Sequence, residues 1–217
     1  MQEITNIKIS DKTSNPAPLG LAGFGLTTIL LNLHNVGLFP LDSMIISMGF
    51  FYGGLAQVIV GIMEWKKDNT FGTAAFTSYG LFWFSLISIW VLPKIGLADA
   101  PTSQAMGSYL AVWALFSFFL FLATFKLYRA LQVVFALVFA LFTLLSAASF
   151  TGSHTIHFIA GVVGILCGAS ALYTGMAQVL NEYFKKSVLP TGQLEAPVKV
   201  DHVITAPLVK ELELNIY

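Results

Sequence analysis

Charge is what this sequence has least of. Only 10% of its 217 residues are Asp, Glu, Lys or Arg, whereas 56% are hydrophobic and the mean hydropathy is +0.78. Soluble globular domains carry about 25% charged residues. A chain with so few charges cannot cover a water-facing surface, which excludes a soluble globular protein. The net charge of zero argues against a nucleic-acid partner.

Cysteine is almost absent as well, since Cys167 is the single one and lies in an apolar run. This excludes an internal disulfide and argues against a thiol enzyme. The chain also lacks a phosphate-binding glycine loop, a zinc-protease helix and a Gly-x-Ser-x-Gly elbow, so we expect neither an enzyme nor a cofactor. His34, His154 and His157 have no carboxylate or cysteine beside them to complete a ligand set, which predicts interfacial histidines rather than a metal site.

What the sequence does have is long apolar runs. A membrane-spanning helix needs about 20 mostly apolar residues. Six runs meet this requirement, and none shows the alternation of a membrane β-barrel. The sequence therefore predicts an all-α membrane protein with six transmembrane helices, at residues 19–38, 41–63, 73–92, 105–125, 131–150 and 155–180.

The basic residues are distributed unequally between the two sides of such a bundle. With six spans, Lys94 falls on one side and ten basic residues fall on the other. Because cytoplasmic loops are enriched in Lys and Arg, this bias predicts that both termini are cytoplasmic. The predicted organisation is a cytoplasmic segment at 1–14, a six-helix domain at 15–190 and a cytoplasmic tail at 191–217. The ten residues are Lys8, Lys12, Lys66, Lys67, Lys126, Arg129, Lys185, Lys186, Lys199 and Lys210.

Small residues recur at intervals of three or four in two of the spans. Stripes of this kind allow helix backbones to approach closely, so we favour tight helix packing over a pore-lining role, although the two are compatible. The stripes comprise Gly49 and Gly53 in the second span and Gly161, Gly164, Gly168, Ala171 and Gly175 in the sixth.

Polar residues form stripes on three neighbouring spans. Thr28, Asn32 and Asn35 share one helical face, as do Gln57 and Glu64. The first two turns of the third span contain Thr77, Ser78 and Tyr79, and Trp83 follows one turn after Tyr79. A single polar residue in a membrane helix is explained by an interhelical hydrogen bond, but stripes on three spans favour a polar pathway.

No Asp, Glu, Lys or Arg lies near the middle of any span. Glu64 lies at the end of the second span beside Lys66 and Lys67, which predicts a surface ion pair. Proton-coupled carriers commonly keep a buried carboxylate for a proton relay. No span carries such a carboxylate in its middle, which argues against strict coupling of transport to protons and favours a channel-like or loosely coupled route.

Several motifs together resemble the acetate uptake transporter family, which includes the succinate–acetate permease and its yeast relatives. The resemblance covers residues 15–190. It is carried by "NPAPLGL" at 15–21, "GFGLTTILLNLHN", "FYGGLAQ", "KKDNTFGTAAFTSYG", "LPKIGLADAP", "LCGASALY" and "VLNEYF".

The resemblance implies six-helix protomers assembled as a hexamer in the cell membrane, each with its own pathway for acetate and related short carboxylates. It also implies a hydrophobic constriction formed by Phe24, Tyr79 and Val138, where Val138 stands in place of the family's leucine. Because Tyr79 carries a hydroxyl, we expect it to offer a hydrogen bond to a passing carboxylate. The residues expected along the pathway are Asn15, Pro16, Thr28, Asn32, Gln57, Thr77, Trp83 and Ala171.

Asn15 and Pro16 open this pathway for a physical reason. Pro16 and Pro18 interrupt regular helical hydrogen bonding, so we expect free N–H groups at the positive end of the helix dipole, where a carboxylate binds well. A passive anion pathway and a proton-linked symporter both remain open. The alternative outside transport is a membrane sensor or assembly protein that uses the same helices for interaction.

Overall fold

The computed structural model of the chain describes residues 13–192, and those from 15 onward fall within one compact unit. Within the described range, six helical stretches are long and apolar enough to cross a membrane. The prediction of an all-α membrane protein with six spans is confirmed. The rest of the predicted N-terminal segment and of the predicted tail lies outside the described residues.

The six spans are built from seven α-helices. The second span, Ser43–Trp65, is continuous but contains a π-helical segment, Gly49–Ala56, between α2 and α3, and a short 3-10 turn, Thr124–Lys126, extends α5. The helices are α1 (Ala17–Asn35), α2 (Ser43–Met48), α3 (Gln57–Trp65), α4 (Thr70–Lys94), α5 (Ser103–Ala123), α6 (Arg129–Thr151) and α7 (His154–Phe184).

The predicted ends of the first and third spans differ from the observed ones, because of a glycine after the first span and a proline near the end of the third. The first span ends at Asn35 rather than at 38 because Gly37, with φ at 87°, turns the chain out of the helix. The third span continues past the predicted end at 92, since Pro93 is accommodated within the last turn of α4.

Polar side chains fix the starts of four helices. Each accepts a hydrogen bond from a backbone N–H in the first turn, which satisfies groups that a helix leaves unpaired. The capping residues are Asp42, Asn69, Thr102 and Ser153.

α6 begins differently, because the segment that follows α7 returns to cap it. The backbone N–H groups of Arg129 and Ala130 donate to the carbonyls of Gly192 (2.9 Å) and Thr191 (3.0 Å). Asn181 on α7 holds the returning segment through its bonds with Val188 and Leu189. Residues 191 and 192, which the sequence assigned to the tail, therefore pack with the helices.

Glycine allows α1 and α7 to pack backbone to backbone. A Cβ atom at Gly25 would stand 2.7 Å from the Gly168 carbonyl oxygen, and one at Gly168 would stand 2.6 Å from that of Gly25. Gly49 and Gly53 leave similar room for the Trp83 ring. The predicted tight packing of both small-residue stripes is confirmed, and α1 is the most buried of the six spans.

The described basic residues segregate between the two ends of the bundle. Lys94, at the end of α4, lies at the end where α1 finishes and α7 starts. The other six described basic residues lie at the opposite end: Lys66, Lys67, Lys126, Arg129, Lys185 and Lys186. This is the pattern on which the predicted orientation rests.

Candidate substrate pathway

Two cavities adjoin inside the bundle and occupy opposite ends of it. The Tyr128 cavity, of about 140 Å³, lies where α1, α4 and α6 begin, and the Asn32 cavity, of about 250 Å³, lies where α1 ends. Phe24 and Val138 line both, so these two side chains form the wall between them. Any route that joins the two cavities must therefore pass these two side chains.

The three residues of the predicted constriction meet at this wall. The ring centroids of Phe24 and Tyr79 are 5.8 Å apart, and Val138 is only 1% exposed. Tyr79 lines the Tyr128 cavity and stacks on Phe142, which lines the Asn32 cavity, with ring centroids 6.5 Å apart. The neck between the cavities is therefore apolar and closely packed, as in pores that close by excluding water.

The Tyr79 hydroxyl is not offered to the pathway as the sequence predicted. Its oxygen lies 2.9 Å from Ser117 Oγ, and Ser117 Oγ in turn donates to the Trp113 carbonyl at 2.7 Å. Because the serine proton is used in that bond, Tyr79 donates its own proton to Ser117. Ser117 on α5 is a partner that no nearby sequence signal indicated.

The polar stripe of α1 faces the Asn32 cavity. Thr28, Asn32 and Asn35 all line it. Asn32 Nδ2 donates to the Thr28 carbonyl (2.9 Å), and Asn32 Oδ1 accepts from Asn35 Nδ2 (3.0 Å). The two amide groups of this wall are thus connected to each other and to the Thr28 carbonyl, and all the polar groups of the stripe are neutral.

Two polar atoms in the same cavity wall are buried without a partner. Thr28 Oγ1 and Trp83 Nε1 make no hydrogen bond to any described residue. Buried polar atoms are nearly always paired, so each unpaired one requires an explanation. Both residues line the Asn32 cavity and both atoms are neutral hydrogen-bond donors, so neither carries a charge that would hold an anion permanently.

Histidines and Lys94 lie toward the open side of the Asn32 cavity. His34 and His157 line it, and His34 Nδ1 lies 2.8 Å from the Phe39 carbonyl, to which it donates. An open recess of about 470 Å³ contains Lys94 and shares Leu41, Trp90, Met106 and Ser149 with the cavity. A fixed positive charge therefore stands beside this mouth.

The polar groups of the Tyr128 cavity come from α3, from the α3–α4 turn and from the residue that precedes α6. Gln57 lines it, together with Asn69 and Tyr128, which the sequence did not predict as pathway residues. Gln57 Nε2 donates to the Gly53 carbonyl at 2.6 Å. Burial raises the pKa of the Tyr128 hydroxyl to about 12, so this group keeps its proton at physiological pH. Tyr128 precedes α6 in a sequence that carries no recognisable turn or capping motif there.

Two predicted pathway residues lie elsewhere. Thr77 packs against Gly61 at the contact of α3 with α4, and Ala171 is fully buried in the core of the bundle. Neither lines the two cavities. Their side chains determine helix spacing, which is a different role from contact with a substrate.

Asn15 and Pro16 also lie outside the two cavity walls, and the expected free N–H groups are not there. The Ala17 N–H donates to Asn15 Oδ1 (3.1 Å), and the Leu19 N–H donates to the Pro16 carbonyl (3.1 Å). Pro18 has no N–H. The expectation of unpaired donors at residues 17–19 is wrong, because Asn15 and Pro16 satisfy them locally.

Asn15 is nevertheless connected to the Tyr128 cavity. Its Nδ2 donates to Gln178 Oε1 (2.9 Å), and Gln178 Nε2 donates to the Tyr128 hydroxyl oxygen (2.8 Å). This relay joins the start of α1, the end of α7 and the start of α6. It orients a hydroxyl that lines the cavity.

Comparison with known proteins agrees with this architecture. The chain is 54% identical over 182 residues to the succinate-acetate/proton symporter SatP of Escherichia coli, covering 84% of this chain and 97% of that protein. It is 39% identical over 183 residues to ammonia transport outward protein 2 of Saccharomyces cerevisiae, covering 79% and 64% of the two chains.

The fold is matched as well. A solved structure of the bacterial acetate channel SatP superposes with a TM-score of 0.83 at 55% sequence identity, covering 83% of this chain and all of the other. The profile of the GPR1/FUN34/yaaH family matches residues 3–195. The resemblance found from the motifs is confirmed, and the chain belongs to the GPR1/FUN34/yaaH family.

Proposed function

We propose that this protein carries acetate and related short carboxylates, including succinate, across the cell membrane through a pathway within each protomer. The observation that carries the proposal is the pair of adjoining cavities, with partnerless Thr28 and Trp83 donors in one wall. The high identity to SatP along nearly its whole length supports the same substrates.

The chemistry of the walls suits a small anion in transit. A carboxylate in the Asn32 cavity accepts hydrogen bonds from neutral donors, which stabilise it without trapping it. Acetate then passes the apolar neck at Phe24, Tyr79 and Val138, where its methyl group makes apolar contacts. Lys94 at the mouth raises the local concentration of anions, an effect that salt weakens.

The orientation and assembly belong to the proposal too. We place the Tyr128 cavity and both termini on the cytoplasmic side, from the distribution of basic residues. The protomers form a hexamer, as the family resemblance implies. Native mass spectrometry of the purified protein tests the assembly, and a monomer as the sole species would contradict it.

Reconstitution of the purified protein into liposomes tests the function. We expect uptake of labelled acetate and succinate above that of empty vesicles. Succinate is the more decisive substrate, because its charged forms cross lipid slowly without a protein. Correctly inserted protein that gives no flux of either would favour the alternative of a sensor or assembly protein.

Currents across planar bilayers distinguish the two modes of transport. An acetate current at symmetrical pH indicates a conductive anion pathway. Uptake of substrate without current indicates electroneutral symport with protons.

A further inference from the structure

Glu64 is buried, although the sequence predicted a surface ion pair. Its side chain is 2% exposed near the end of α3. Oε2 accepts a hydrogen bond from Asn69 Nδ2 at 2.7 Å, whereas Oε1 is buried with no hydrogen-bond partner among the described residues. The prediction from the neighbouring lysines is wrong because the start of α4 folds over this carboxyl group.

One layer of atoms separates the carboxyl group from the Tyr128 cavity. Gly72 and Asn69 both contact Glu64 and both line that cavity. A Cβ atom at position 72 would stand 2.8 Å from Glu64 Oε2, so only glycine leaves room for the carboxyl group there. An anion in the cavity would lie beside this buried acid.

The charged and titratable groups that act on Glu64 are few within the described residues. Lys67, in the turn after α3, attracts the carboxylate, and Tyr128 at the start of α6 lies within electrostatic range of it. The first turns of α4 contribute the neutral Asn69 amide and the backbone at Gly72. Of these groups only Lys67 is a cation, so a second negative charge in the cavity would add repulsion on Glu64.

Two like charges close together in a medium of low dielectric constant cannot both persist, and a proton relieves the repulsion. Linkage is reciprocal, so an anion that promotes proton binding is itself bound more tightly when the proton is present. The unpartnered Oε1 is the atom on which such a proton finds a free lone pair.

We propose that Glu64 is a proton-binding site linked to occupancy of the Tyr128 cavity by the substrate carboxylate. As the anion enters, a hydronium ion of the solvent gives its proton to Glu64: one hydronium O–H bond breaks, an O–H bond forms on Oε1, and a water molecule remains. The reverse transfer to water takes place as the anion leaves. No electrons are transferred. The inference rests on the proposed function and names the residue that joins carboxylate passage to protons.

Proton uptake on binding is the direct test. Acetate, adjusted beforehand to the same pH, is added to the detergent-solubilised protein in weak buffer at about pH 6 to 7. We expect uptake of a measurable fraction of a proton per protomer. Glu64→Gln still accepts the hydrogen bond from Asn69 but should abolish this proton uptake. Glu182→Gln removes an exposed carboxylate on α7 and should retain the uptake.

The pH profile of acetate current is the second test. Wild-type current at fixed acetate concentration should fall as the pH rises and Glu64 ionises, since ionised Glu64 repels the anion. In Glu64→Gln the profile should flatten, with a current about tenfold above wild type at the alkaline end. Asn69→Ser keeps a capping oxygen for α4 but removes the donor to the carboxylate, so its profile should move to higher pH.

The outcomes separate this proposal from the proposed function. If wild type and Glu64→Gln conduct acetate with the same pH profile and take up the same protons, the Glu64 proposal alone fails. Loss of current in folded Glu64→Gln at every pH would also contradict it. If Glu64→Gln does not fold, an unshifted profile in Asn69→Ser overturns the proposal. If wild type neither binds nor conducts acetate, both proposals fail.

Discussion

Gly164 on α7 lies against the side-chain amide of Asn32 on α1, so closely that a methyl group at 164 would overlap the amide. The same amide lines the Asn32 cavity and bonds with the Thr28 carbonyl and Asn35. The glycine stripe of α7 and the polar stripe of α1 are therefore two sides of one contact. Packing at 164 sets the position of a cavity-lining donor.

Gly164→Ala should consequently damage transport by displacing Asn32. Overpacking of this kind costs about 1 to 3 kcal/mol of stability, and the shifted amide should lower acetate flux by about tenfold. Flux per correctly inserted protomer is the measurement. Gly175→Ala on the same helix is the milder comparison, because its Cβ would stand 3.1 Å from Leu21 Cβ and from the Pro18 carbonyl oxygen, a tight contact without the overlap at 164. Equal flux in the two variants would contradict the assigned role of Gly164.

Val138 should control which carboxylates pass the neck. Val138→Ala should raise succinate flux relative to acetate by about threefold to tenfold, and Val138→Leu should lower that ratio, because side-chain size at 138 sets the width of the neck. Both substrates are measured in one liposome preparation. Val134→Ala is the control. Val134 is buried one turn before Val138 and lines the Tyr128 cavity but not the Asn32 cavity. If neither Val138 variant moves the ratio, Val138 is a packing residue and the neck is set elsewhere.

Much of the fold was predictable because its causes are local. Apolar runs of sufficient length specify spans, and capping residues such as Asn69 and Ser153 stand where the helices begin. The π-helical segment Gly49–Ala56 was not predictable, since the side-chain pattern of an apolar helix does not specify its hydrogen-bond register. The glycines within it gave only the correct expectation of close packing.

The candidate site was predictable only where its residues share a helical face. The stripe of Thr28, Asn32 and Asn35 was visible in the sequence because its spacing is local. The burial of Glu64 was not visible, since Asn69 and Gly72 cover it after the chain has turned. The Ser117 partner of Tyr79 lies 38 residues away on another span, which no local pattern reveals.

The partnerless hydroxyl of Thr28 should matter for substrate and not for stability. Thr28→Val replaces it with a methyl group of similar shape, so stability should be unchanged or slightly higher. Loss of one donor to the carboxylate should weaken acetate binding by about fivefold. Thr27→Val is the control, because the buried Thr27 hydroxyl bonds to the Met48 carbonyl at 3.4 Å and lines neither cavity. Unchanged acetate affinity in Thr28→Val would remove Thr28 from the pathway.

The predicted orientation can be tested by labelling in intact cells. Cys167 is fully buried, so single cysteines can be introduced over a low background. Leu97→Cys, at a position 73% exposed near Lys94, should react with an impermeant thiol reagent from outside. Lys186→Cys, beyond the end of α7, should react only after the membrane is opened. The reverse labelling pattern would place the termini outside the cell. Position 200 is a further site for the probe, and it lies outside the described residues.

Asn15 should affect transport through Gln178 rather than by touching the substrate. The relay from Asn15 to Gln178 and on to the Tyr128 hydroxyl orients a group that lines the Tyr128 cavity. Asn15→Ala and Gln178→Ala should each lower acetate flux about fivefold, the loss expected for one hydrogen bond. Pro16→Ala should act in the same direction, because it loosens the turn that places Asn15. Membrane insertion should be nearly normal in all three variants.

The double variant of Asn15→Ala with Gln178→Ala decides whether the relay is real. The effects of substitutions within one hydrogen-bond network do not add. The flux of the double variant should therefore be no lower than that of the worse single variant. Flux is normalised to inserted protein, and Ser14→Ala, an exposed neighbour, serves as the matched control. Losses that multiply would show that Asn15 and Gln178 act independently. Normal flux in well-expressed Asn15→Ala and Pro16→Ala would remove this end of α1 from the transport mechanism.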